Sequence, residues 1–158
     1  MSIYQTQKST KPKPEAVARD FLDSKKVSAF LRLVEYLRAN KIGIPWVSGN
    51  SWGLNVKGKR IGFIKIAGGS WLFCQQPRHM KYYENMKDSD LHKFVFNNIY
   101  PKTCLEGKCG EGPDMPITDY NKSSVCGCWP LRIFNPDEEA LEYTKRLIIL
   151  SKVGEASC

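Results

Sequence analysis

Four of the six cysteines in this 158-residue chain, Cys104, Cys109, Cys126 and Cys128, stand close together at a spacing of C-x4-C, sixteen residues, then C-x-C. Four thiolates so arranged suit one tetrahedral ion. Zinc accepts four sulfurs, whereas magnesium and calcium prefer oxygen. An iron–sulfur cluster is the competing sulfur-held group. Two ligands one residue apart strain the backbone between them, and Gly127, lacking a Cβ, relieves that strain. Lys102 and Lys108 would offset thiolate charge. Two other chemistries fit the same residues: cysteines that are unliganded or paired as disulfides, and a redox dithiol at "CGC". A metal here would be structural, because catalytic zinc keeps an open position and commonly uses histidine. Of the two histidines, His79 and His92, only His92 lies near enough to stand in for a cysteine. Cys74 falls in an apolar strand and Cys158 ends the chain.

The bulk composition frames that choice. Hydrophobic residues make up 42% and charged residues 25%, values of a globular chain. No apolar run approaches the roughly 20 residues of a membrane-spanning helix, and the polar start "MSIYQTQKSTKPKPEA" lacks a signal-peptide core. The expectation is a cytoplasmic protein, where clustered cysteines more often bind metal than form structural disulfides. The formal net charge is +8. Lys8, Lys11 and Lys13 belong to the N-terminal arm, and setting them aside leaves about +5, a mild attraction for polyanions.

The elements that must position the cysteines follow from periodicity. Residues 1–13 read as a disordered arm, 14–152 as a single α+β domain containing the cysteine-rich segment 102–130, and 153–158 as a flexible tail. From Pro14, a helix presents Val17, Phe21 and Leu22. A second helix, capped by Asp23 or Ser24, carries Val27, Phe30, Leu31, Val34 and Leu37 on one face and stops near Gly43. The period then changes to that of strands: "IPWV", "SWGLNV", "RIGFIKI" and "WLFCQ", separated by "KGK" and "AGG". This predicts an antiparallel meander of about four strands. A short helix follows with Leu91, Phe94 and Val95. The last helix opens with Asn135 as cap, Pro136 as first residue and Glu138 completing a capping box, and buries Leu141, Thr144, Leu147 and Ile148.

Two further groups bear on binding. Lys57, Lys59, Arg60 and Lys65, with Arg78 and Lys81, form a basic hairpin that would track a phosphate backbone. Edge lysines also keep strands from aggregating, which is the more ordinary use. Trp52 and Trp71 sit where strand residues face a core, and core packing is the more ordinary role for such rings than stacking on a ligand. No GxSxG, P-loop, HExxH or GxGxxG motif is present, so nothing in the sequence designates catalytic residues.

The stretches "NSWGLNVKGKRIGFIKI…GSWLFCQ" and "VCGCWPLRIFNPDEEALEYTKRLI" resemble a group of small bacterial proteins typical of Firmicutes, reminiscent of the YdhG-like and MmcQ/YjbR-like α+β families. The resemblance spans about residues 24–152. Members carry C-x-x-C where this chain has C-x4-C and C-x-C. It implies the fold and a cysteine-bound ion, and no activity. The sequence thus predicts a binding or adaptor module with a structural zinc at Cys104, Cys109, Cys126 and Cys128. The alternative is a nucleic-acid binder using the basic hairpin; a thiol-redox protein or enzyme comes third.

Overall fold

A computed structural model describes residues 3–83, 88–100, 115–117, 120–122, 126 and 128–156. The fold is α+β, with helices α1 (Ile3–Thr10), α2 (Pro14–Phe21), α3 (Ser24–Ala39), α4 (Ser89–Asn97) and α5 (Glu138–Ala156). The strands are β1 (Trp46–Ser48), β2 (Ser51–Val56), β3 (Lys59–Ala67), β4 (Ser70–Gln75), β5 (Met115–Ile117), β6 (Tyr120–Lys122) and β7 (Leu131–Phe134). Five of them form one antiparallel sheet in the order β1-β2-β3-β4-β7, and β5 pairs with β6 separately. The predicted meander is present, and β7 adds a fifth strand from beyond the cysteines.

Turn chemistry builds the meander. Between β2 and β3, Lys57 and Gly58 both have positive φ, 48° and 81°. Between β3 and β4, Gly68 and Gly69 stand at 56° and 71°. Two consecutive left-handed residues make the tight turn whose twist matches that of the strands. Trp52 and Leu54 of β2 and Ile64 and Ile66 of β3 alternate toward the helices and are buried, and Ile61, on the other side of a register shift, is buried with them. Trp71, Phe73 and Ile133 continue this face, and it packs with Phe30, Leu33, Val34 and Leu37 of α3 and Leu141, Leu147 and Ile148 of α5 in one cluster. Phe30 meets the Trp71 ring edge-on at 5.2 Å.

The helix termini differ in detail from expectation. Asp23 caps α3, accepting from Lys26 N–H at 3.0 Å. The helix stops through Lys41, not Gly43: Lys41 has φ 58°, and N–H groups of Lys41 and Ile42 donate back to Arg38 and Leu37 carbonyls at 2.9 Å each. This closes the exposed carbonyls and seats Ile42 in the core. In α2, Val17, Ala18 and Leu22 are buried while Phe21 is 48% exposed, against the predicted face. Asn135 does not cap α5. Asp137 accepts from Ala140 N–H at 2.9 Å, and Asn135, at φ 38°, exchanges two 2.9 Å hydrogen bonds with the Trp71 backbone. The predicted buried set of α5, Leu141, Thr144, Leu147 and Ile148, is buried.

Both chain ends correct the expected boundaries. Residues 3–10 of the supposed disordered arm are helical. The physical reason is Gln7, which accepts from Asn50 N–H at 2.8 Å and Trp46 Nε1 at 3.2 Å and donates to Asn50 Oδ1 at 2.5 Å. Trp52 Nε1 donates to the Pro12 carbonyl at 2.9 Å. Likewise α5 runs through 153–156 of the expected flexible tail. Glu155 accepts from Tyr82 OH at 2.8 Å and faces Lys59 at 3.5 Å. Gly154 abuts the Tyr82 ring so closely that a Cβ would fall 2.3 Å from it.

Candidate functional site

Strand pairing fixes what lies on the sheet face away from the helices. One cross-strand row runs Gly53, Phe63, Cys74, Arg132; the next runs Ser51, Lys65, Leu72, Phe134. Successive strands lie about 4.8 Å apart, so each row is a short line across the sheet. The first row is topped by two ring contacts. Trp129 stands edge-on against Phe63 at 4.6 Å, and Arg60 lies over the same Phe63 ring at 4.7 Å. Arg60 reaches there because Gly53 has no side chain: a Cβ would sit 2.4 Å from its Nε. At the second row Phe134 is 47% exposed and Tyr100 is 37% exposed, with ring centroids 6.0 Å apart.

Arg132 is the centre of this corner. Its guanidinium lies over the Tyr100 ring at 5.0 Å, donates to the Trp129 carbonyl at 3.0 Å and to Cys126 Sγ at 3.4 Å. Backbone bonds hold the chain beneath it. Tyr100 N–H donates to Pro130 O at 2.8 Å, Cys126 N–H to Tyr100 O at 3.0 Å, and Arg132 N–H to Asn98 O at 3.1 Å. Arg60, Lys65 and Arg132 are cations, and none of the residues in the two rows is acidic. Cys74 beside Arg132 is not a ready nucleophile: burial pushes its thiol up to about 12, against the opposing pull of Arg132 and Lys65.

The basic residues expected to act together separate. Arg60 and Lys65 are on the open face. Arg78 stays near, donating to the Arg60 carbonyl at 3.0 Å. Lys57 is at the tip of the β2–β3 turn. Lys59 projects to the helix side and pairs with Glu155, and Lys81 lies 5.0 Å over the Tyr82 ring. Sequence reasoning missed Tyr100, Arg132 and Phe134. The outward alternation of "LRIF" was the one signal for Arg132 and Phe134, and it is too short to read without its partner strand; Tyr100 had none.

Of the four cysteines, Cys104 and Cys109 lie outside the described residues. Cys126 is buried and Cys128 exposed. His92 is buried at 6% exposure, not a surface residue of α4. Among the described residues no group of three or more histidine, cysteine or acidic side chains gathers as a metal site. None of the described helices is long and apolar enough to cross a membrane.

The buried polar groups are structural. Gln75 Nε2 donates to the Ile61 carbonyl at 2.7 Å and to Ser151 Oγ at 2.9 Å, while its Oε1 accepts from Tyr83 OH. Ser151 donates to Leu147 O at 3.1 Å. Burial pushes the Tyr83 phenol well above its ordinary value. His79 is enclosed, its Nε2 2.9 Å from the Arg60 carbonyl and its Nδ1 3.3 Å from Gln76 N–H. That pattern suits a neutral ring protonated at Nε2. Comparison of the chain with known protein families, with curated proteins and with solved structures gives no match.

Proposed function

We propose that the chain is a nucleic-acid-binding module that works through the open face of its sheet. The observation that supports this is the make-up of the open face among the described residues: Lys65 and Arg132 in the two rows, Arg60 over the Phe63 ring, aromatic rings between them, and no acid within the rows. Such a surface attracts a polyanion and offers its bases rings to lie on. The net charge of +8 acts in the same direction. The basic hairpin thus enters the reading with a changed membership: Arg60 and Lys65 stay, and Lys59 leaves it for Glu155.

The experiment is binding of labelled oligonucleotides across a salt series. Binding should weaken with salt, and Lys65→Gln plus Arg60→Gln should reduce the log–log slope by about one unit per lost phosphate contact. No binding at low salt, or a double variant with an unchanged slope, defeats the proposal.

A structural zinc at Cys104, Cys109, Cys126 and Cys128 is proposed alongside it, as an ion that would tie Cys126 and Cys128 to the two cysteines earlier in the chain. What supports it is the spacing of the four thiols, two of which, Cys126 and Cys128, stand just before β7. Bound there, zinc would supply cross-linking and no catalysis. Elemental analysis should find near one zinc per chain, lost in Cys126→Ser plus Cys128→Ser. A metal-free protein from a zinc-replete preparation removes this proposal and leaves the first standing.

A further inference from the structure

Resting on the nucleic-acid reading, we infer that the ligand is an unpaired strand, held by stacking of its bases on Phe134 and Tyr100. A duplex presents phosphates outside and hides the faces of its bases in the stack. A surface that needs only phosphates needs only cations. This one spends two half-exposed rings on the same patch, Phe134 at 47% and Tyr100 at 37%. An aromatic ring left open to water beside cations is a platform on which an unstacked base, but not one still within a duplex stack, can lie.

The placement of the cations agrees. Arg132 stands two residues before Phe134 on the same strand face, about 7 Å away along the strand. Lys65 stands two strands across in the Phe134 row, about 10 Å away. Lys65 would take a phosphate beside the stacked base, while Arg132, engaged with Tyr100, Trp129 and Cys126, adds positive charge on the other side of the ring. Trp129 against Phe63 extends the apolar floor one row further and gives the site an intrinsic fluorophore. None of these contacts reads a base edge, so the surface should tolerate sequence. Nothing in it depends on a 2′-hydroxyl, so single-stranded RNA and DNA should both bind.

The test uses the full chain with a mixed-sequence oligonucleotide as single-stranded DNA, as single-stranded RNA and as duplex, read by anisotropy. The single strands should bind at least about tenfold more tightly than the duplex. Phe134→Ala should weaken single-strand binding by roughly 5- to 100-fold, the loss of one stacked base. It should leave duplex binding alone, and Phe134→Trp should restore the single-strand affinity. Circular dichroism and melting of Phe134→Ala, a residue half exposed in the parent, check that the sheet persists. Equal affinity for duplex and single strand, with Phe134→Ala neutral, overturns the stacking inference while the nucleic-acid reading survives. Failure of every oligonucleotide to bind at low salt overturns both.

Discussion

The two faces of this sheet are made by alternate residues of the same strands, and they solve opposite problems. The face toward α3 and α5 has Trp52, Ile64, Trp71 and Phe73 without measurable exposure. Each such side chain contributes about 1.5–3 kcal/mol by leaving water. The other face has Phe63, Lys65, Leu72 and Phe134 at the neighbouring positions, with Lys65 and Phe134 in solvent. The Phe134 ring there adds little to stability and remains open to solvent, while Phe63 is covered by Trp129 and Arg60. An aromatic residue thus has two meanings in one strand, and the phase of the pleat decides which.

The sharpest way to break this comparison is to cut into the inner face. Trp52→Ala should cost about 3–5 kcal/mol in chemical denaturation, as large core truncations do. A loss under about 1 kcal/mol would mean that the inner face is not the core. Next comes the polar knot at its end. Gln75→Leu removes the partner of Tyr83 and Ser151 and should cost about 1–3 kcal/mol for each group left unsatisfied. An unchanged midpoint would show that water or a rearrangement replaces it.

A smaller effect should appear with pH at His79. Burial is the main cause holding its ring below the ordinary value, with Arg78 and Lys81 adding to it and the Arg60 carbonyl and Glu155 opposing. The unfolded chain therefore takes up the proton first as pH falls. Stability is full above about pH 6.5 and declines below it, as the linkage relation requires. Comparing denaturation at about pH 8 and pH 5.5 should show the loss, and His79→Gln should flatten it. A slope unchanged by that substitution assigns the effect elsewhere. The smallest expected change is on the outer face: Phe134→Ala should alter stability by no more than about 0.5 kcal/mol. A larger loss would make Phe134 a packing residue and erase the contrast between the faces.

What could be read from the sequence follows the range of the forces involved. The hairpins were legible because Lys57–Gly58 and Gly68–Gly69 carry their turn signals locally. The buried face of α5 was legible because its period persists over several turns. α1 was not, since "IYQTQKST" has no apolar stripe and its order comes from Gln7 meeting Asn50 and Trp46 far along the chain. Asn135 misled for a similar reason: it is a good cap by type, but its side chain is engaged by the Trp71 backbone. β7 was missed because four residues show too little alternation before β4 is placed beside them. The basic residues were grouped by sequence proximity, yet Lys59 and Arg60 are neighbours that project to opposite sides of the sheet. Of the candidate site, then, two cations were visible in advance. Its third cation and its exposed rings became visible only with strand pairing.

The crossed backbone bonds that join Asn98 and Tyr100 to Cys126, Pro130 and Arg132 have a consequence for how this protein can vary. They make a neck: the chain leaves after Tyr100 and has returned by Cys126, with both ends tied to one another and to the sheet's last strand. Lengthening what passes through a closed neck adds only slowly to loop-closure entropy. Added length between Tyr100 and Cys126 is therefore inexpensive in closure entropy, while the register of β7, and with it Arg132 and Phe134, stays where the neck puts it.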